Sequence, residues 1–233
     1  MRNKKGSELH LKSCLRGALG LILIPACIFI SAGRVGYWQG WAYVGTIILI
    51  GVVMITIFIR GKKLELLQER TNPGPGTKWW DKVFFAFYAP SYLAILIVGS
   101  LDSGRYFWTS DFAVSIYIIG YAVFLFAIAI FLWSMWVNRF FSSTVRIQSD
   151  RGQFVIQSGP YRFVRHPGYV AGILLALGNS LVFGSLWALI PAGLMALSLV
   201  IRTGLEDATL QKELPGYVEY TRKTKYRLFP GLW

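Results

Sequence analysis

Charged and apolar positions fall into separate blocks along this chain. Five intervals carry no Asp, Glu, Lys or Arg: 17–33, 35–59, 83–101, 112–138 and 167–201, of 17, 25, 19, 27 and 35 residues. A helix needs about 20 apolar residues to cross roughly 30 Å of hydrocarbon. The first four intervals therefore predict four long transmembrane helices. The fifth is too long for one upright span, and Gly178-Asn179-Ser180 and Gly184-Ser185 interrupt it near the middle. It predicts a helical hairpin with arms near 169–182 and 185–201, about 21 and about 26 Å long at 1.5 Å per residue. Both arms fall short of a full upright crossing. Small residues near the bend suit close helix approach in lipid. The fold class is thus all-α and polytopic, four long transmembrane helices plus a C-terminal hairpin. We expect two regions: 1–137, holding the four helices and the loop 60–82, and 138–233, holding a loop, the hairpin 167–201 and a tail. Segment 61–70 reads as a short amphipathic surface helix, ended by a Pro/Gly turn over 71–76.

Composition agrees. Hydrophobic residues make up 55% of the 233 residues and charged residues 15%, against about 45–50% and about 25% in soluble domains. Disordered, collagenous and disulfide-scaffold classes are excluded. Cys14 and Cys27 are the two cysteines, too few for a framework. The basic start and first apolar run resemble a signal peptide, but Ser31-Ala32-Gly33 is a poor cleavage site and four more apolar intervals follow, so the first is read as a retained span.

The net charge of +13 reports topology. Of 24 Lys and Arg, 22 lie before the first interval, in 60–82, in 139–165 or after Ile201; only Arg34 and Arg105 occupy the other connections. The positive-inside rule puts both termini, 60–82 and 139–166 in the cytosol, as in a bacterial-type inner membrane. An even number of crossings must then separate Asn138 from the tail, which the hairpin supplies. Basic loops at a membrane meet anionic lipid headgroups. No nucleic-acid-binding motif is legible, no metal-ligand cluster is expected, and no partner beyond lipids and a small-molecule substrate is called for.

The predicted spans contain no ionisable side chain apart from Cys and Tyr, which argues against an ion-coupled transporter and moves any polar site to the cytosolic face. Two segments there are rich enough to build one. The first runs from Asn138-Arg139-Phe140-Phe141 to Gly159-Pro160-Tyr161-Arg162-Phe163-Val164-Arg165-His166-Pro167-Gly168-Tyr169. The second begins Arg202-Thr203-Gly204-Leu205-Glu206-Asp207 and continues through Leu210 and Leu214 on the Glu206 face, with Pro215-Gly216 stopping the helix before Tyr217 and Tyr220. Read singly, His166 is a membrane-entry turn and Arg202/Glu206 an i,i+4 salt bridge at a helix end. Read together, they lie at the two ends of one hairpin. His166 and Tyr169 begin it, Arg202 and Glu206 finish it, and the four should converge at one cytosolic mouth.

These residues resemble the C-terminal signature of the isoprenylcysteine carboxyl methyltransferase family, a relative of the phospholipid N-methyltransferases. The resemblance covers about 138–230 and rests on Gly159-Pro160-Tyr161, Arg165-His166-Pro167-Gly168-Tyr169, Arg202-x3-Glu206-Asp207, Tyr217 and Tyr220. The family commonly has Glu-Glu where this chain has Glu206-Asp207, and Phe-Gly-x-x-Tyr where it has Leu214-Pro215-Gly216-Tyr217. The resemblance implies an integral-membrane enzyme using S-adenosyl-L-methionine, bound by a cytosol-facing C-terminal segment; no Gly-x-Gly-x-x-Gly fingerprint is present. It implies His166, Pro167, Tyr169 and Glu206 as cofactor contacts, with Gly159, Tyr161, Arg165, Arg202, Tyr217 and Tyr220 behind them. Asn138, Arg139 and Phe141 are the candidate acceptor wall, facing a lipophilic or small-molecule methyl acceptor bearing a carboxylate, thiol or amine. No catalytic base is named. Two other readings stay open: a membrane reductase of the sterol-reductase type using NADPH, and a non-catalytic membrane partner protein.

Overall fold

The computed structural model describes residues 19–63, 66–67, 76–110 and 112–233. Cys14, half of the expected surface helix 61–70 (64–65 and 68–70) and positions 71–75 of the expected turn lie outside the described residues. The described chain is helical, with no strand among the described residues. Its elements are α1 (Leu19–Ala32), α2 (Trp38–Arg60), α3 (Trp79–Ser100, prolonged by a π-helical turn Leu101–Tyr106), α4 (Val114–Val137), α5 (Pro167–Val182), α6 (Leu189–Glu213) and α7 (Tyr217–Lys223). Short 3-10 turns at Ser149–Arg151 and Gly159–Arg162 punctuate the α4–α5 connection. The protein is a multi-pass, all-helical membrane protein. Exposed apolar side chains such as Leu49, Val52, Ile118 and Phe126 project outwards from α2 and α4, as a lipid-facing surface requires.

Four helices are long and apolar enough to cross a bilayer: α2, α3 with its π turn, α4 and α6. They are not the four that the sequence predicts: among the described residues the first interval forms the shorter helix α1 (Leu19–Ala32), and the hairpin's second arm, expected to fall short of a crossing, is α6, long enough to span. The first arm, α5, has 16 residues, about 24 Å. The second continues beyond Ile201, as Leu210, Leu214 and the Pro215-Gly216 stop predict. It runs unbroken through Arg202, Glu206 and Asp207 to Glu213, 25 residues in all, about 37 Å. Arg202 and Asp207 each have buried ionic partners, which removes the cost that would otherwise expel them from a packed helix. Gly178-Asn179-Ser180 likewise stays inside α5; the bend falls at 183–188.

α5 lies along α4 and between α4 and α6, while α3 packs along α6. At Gly178 a Cβ would come within 3.1 Å of the Phe124 backbone, so the glycine lets the α4 and α5 backbones touch. The bend is pinned from the far end of α3. Asp102, fully buried, accepts from Ser185 Oγ at 2.6 Å and from the Thr109 backbone N–H and hydroxyl at 2.7 and 2.6 Å. Gly184 turns the chain here with φ +67°, and a Cβ would lie 2.1 Å from the Tyr117 hydroxyl. Gly184→Ala is expected to cost about 1–3 kcal/mol, read as a lower thermal midpoint in detergent.

Candidate active site

The opposite end of the hairpin carries the polar chemistry. Pro167 occupies the first turn of α5, where its missing N–H costs nothing, and it holds His166 at the helix entrance. The preceding strip is fastened to the tail: the backbone N–H groups of Arg165 and His166 donate to the carbonyls of Tyr226 and Arg227 at 2.9 and 3.0 Å. Tyr220 donates to the Tyr161 carbonyl at 2.6 Å. The tail therefore folds back beneath the motif that opens α5.

Asp207 is the centre of this end. It is fully buried and takes the Arg165 fork through both oxygens at 2.8 and 3.1 Å. It also accepts from Tyr217 Oη at 3.0 Å, Gln211 Nε2 at 2.9 Å and Arg227 Nε at 2.9 Å, and His166 Nε2 lies 3.3 Å away. The second Arg165 branch donates to the Thr224 and Lys225 carbonyls. Loop, helix and tail thus share one carboxylate, in the charge-assisted geometry that is strongest when water is excluded. Burial pushes the Tyr161 and Tyr217 phenols well above their ordinary range, and Tyr220 to about 12. All three remain neutral donors at neutral pH.

A second buried ion pair closes the site from α3. Asp81 is fully buried, 2.8 Å from Arg202 Nη2, and accepts from the Val145 backbone N–H at 2.9 Å. Arg202 also donates to the Ser143 carbonyl at 2.7 Å and lies over the rings of Phe84, Phe85 and Tyr169, nearest Phe84 at 4.2 Å. The expected partner of Arg202 was Glu206, one turn along; its ionic partner is Asp81. Glu206 instead accepts from the Tyr169 hydroxyl, and Tyr169 stacks on His166 with ring centroids 5.5 Å apart and planes 3° from parallel. The two ends of the hairpin therefore meet, as their sequence positions require.

Between these groups lies a cavity of about 200 Å³. His166, Pro167, Tyr169, Glu206, Tyr161, Arg165, Arg202, Tyr217 and Tyr220 all line it, as do Asn138 and Phe141. Asn138 donates to the Tyr161 hydroxyl at 3.0 Å. Arg139 is not among the lining residues; it is exposed, with its guanidinium over Phe140. Gly159 also lies outside the lining, packed against Val137. Sequence reasoning missed Asp207 as the hub, Asp81, and the wall Ser142–Arg146 with Phe85 and Tyr88. A signal existed for Asp81: it is one of only 11 acids in the chain and stands at the very start of a span.

A multi-pass helical membrane protein with a polar cavity at one end of its bundle defines the class. Residues 115–215, spanning α4 to α6, match the family model for phospholipid methyltransferases, so this part of the chain is similar to that group of membrane methyltransferases. No curated protein matches the chain. The match ends before Tyr217 and begins after Asp81, so two parts of the site come from outside the family segment.

Proposed function

We propose that the chain transfers a methyl group from S-adenosyl-L-methionine to a lipophilic or small acceptor at the cytosolic face of the membrane, with 138–233 as the cofactor-binding region. Glu206 carries the reading. Among the described residues no ion pair engages it, although it lines the cavity and the neighbouring Asp81 and Asp207 each hold arginines. A cavity carboxylate with no cation at ion-pair distance among the described residues suits a cationic ligand, and the cofactor brings an ammonium and a sulfonium. The residues fit the group. Glu206 would hold the ammonium, His166 and Tyr169 would present stacked faces to the adenine or sulfonium, and Tyr161, Tyr217 and Tyr220 would supply neutral hydroxyls or rings. Arg165 and Arg202 shape the walls through Asp207 and Asp81. When bound, the cofactor supplies an electrophilic methyl.

The chain's own contribution is placement. Phe85, Tyr88, Phe131 and Phe141 line the apolar side, excluding water where the acceptor would lie. Holding the nucleophile at about 3–3.5 Å in line with the methyl supplies much of the rate by itself. A carboxylate or thiolate acceptor needs no base. Isothermal titration of S-adenosylhomocysteine into detergent-purified protein tests the reading. Wild type should bind, and Glu206→Ala should weaken binding about 100-fold or more, the scale of a sheltered charge-assisted contact. Binding that is absent from folded wild type, or indifferent to Glu206, would sink it.

A further inference from the structure

Three arginines line the cavity: Arg146, Arg165 and Arg202. Two of them are neutralised by acids with no exposure at all, Arg165 by Asp207 and Arg202 by Asp81. Arg146 differs. Its residue is 8% exposed, yet its ionic partner Asp150, 2.9 Å from Nη1, has a side chain 60% exposed. Water screens that pair from outside, so the guanidinium is buried without a buried counter-charge. Its Nε–H has no hydrogen-bond partner, and neither has the hydroxyl of Thr144, another buried polar atom on a residue lining the same cavity. A buried guanidinium donor and a buried hydroxyl left unsatisfied cost free energy until a ligand accepts from them.

The backbone explains why these two side chains go together. Val145 spends its N–H on Asp81 and its carbonyl on the Lys78 N–H at 3.2 Å, both on the α3 side. Positions 144 and 146 flank it in non-helical chain, and both line the cavity. The preceding residue, Ser143, is bonded through its carbonyl to Arg202, so the wall is anchored within the site.

We propose that Arg146 and Thr144 form an oxyanion subsite of the cavity, taking a carboxylate or phosphate group. It rests on the cofactor reading in so far as the two share one cavity, and it supplies what that reading lacks. Arg202 also has an unpartnered Nε–H, but Arg202 and Arg165 face fully buried acids, whereas the acid facing Arg146 is largely exposed, which leaves Arg146 the lining guanidinium to meet an anion. Glu206 then accounts for the positive end of the bound molecules and Arg146 for the negative end. The oxyanion comes either from the cofactor's own carboxylate or from an anionic acceptor.

Titration calorimetry on the full chain in neutral maltoside separates the sources. Wild type, Arg146→Gln and Thr144→Val are titrated with S-adenosylhomocysteine, with its decarboxylated analogue, and with dodecyl phosphate against dodecylamine. If the cofactor's carboxylate sits here, Arg146→Gln weakens S-adenosylhomocysteine about tenfold or more, the worth of one charge-assisted hydrogen bond, and leaves the decarboxylated analogue unchanged. If the acceptor supplies the anion, S-adenosylhomocysteine is unaffected, and dodecyl phosphate, preferred by wild type over dodecylamine, loses about tenfold. Thr144→Val should give a smaller loss in the same column, and it decides the matter if Arg146→Gln does not fold. Unchanged affinities for both anions in the folded variants overturn the subsite. Failure of wild type to bind S-adenosylhomocysteine would remove the cofactor reading alone, since the dodecyl phosphate arm still decides this one.

Discussion

Asp207→Ala is expected to lower the stability of the folded protein by about 3–5 kcal/mol, the cost of leaving buried charge without its partner. Arg165 keeps only 5% of its side chain exposed, and the substitution strips both of its ionic contacts. It also releases Tyr217, Gln211 and Arg227 at once, so the tail loses part of its hold on the strip before α5. Asp207→Asn should cost nearly as much, because the shape survives while the charge facing Arg165, Arg227 and His166 does not. The check is thermal or denaturant unfolding in one detergent, with Lys78→Ala as the reference. Lys78 and Glu213 form a 2.7 Å ion pair with side chains 30% and 44% exposed, and such surface pairs are worth about 0–1 kcal/mol. Equal effects at the two sites would mean that Asp207 is not the structural hub its contacts describe.

The same residue marks where sequence reasoning reached its limit. Spans, the pairing of hairpin ends and the polar mouth were legible because each depends on patterns along the chain: uncharged length, interrupting glycines, and residues fixed at the two ends of one element. The meeting of Tyr169 with Glu206 follows from that alone. What was not legible is which acid each arginine takes. Arg202 and Glu206 are spaced for an i,i+4 pair, and nothing in a linear pattern says that Asp81, at the start of α3, lies closer to the guanidinium. The end of α6 at Glu213, by contrast, was legible from Leu210 and Leu214 on the Glu206 face and from the Pro215-Gly216 stop.

That pairing gives a prediction of similar size from outside the family segment. Asp81→Asn leaves Arg202 buried with its Nη2 facing no carboxylate, while the amide oxygen can still accept from the Val145 N–H. Arg202→Met leaves Asp81 with no cation, fully buried. Each change is expected to cost about 3–5 kcal/mol. Made together, as Asp81→Asn with Arg202→Met, they should cost clearly less than the two losses combined, because neither uncompensated charge then remains. A coupling of about 1–3 kcal/mol in this double-mutant cycle, measured by unfolding in detergent, is the expected result. Strict additivity would show that the two side chains act independently, and the link from α3 through Arg202 to the Ser143–Val145 wall would then have to run through the Val145 hydrogen bond. The cycle therefore separates the charge on Asp81 from its backbone contact, the two ways in which α3 can hold the cavity in shape.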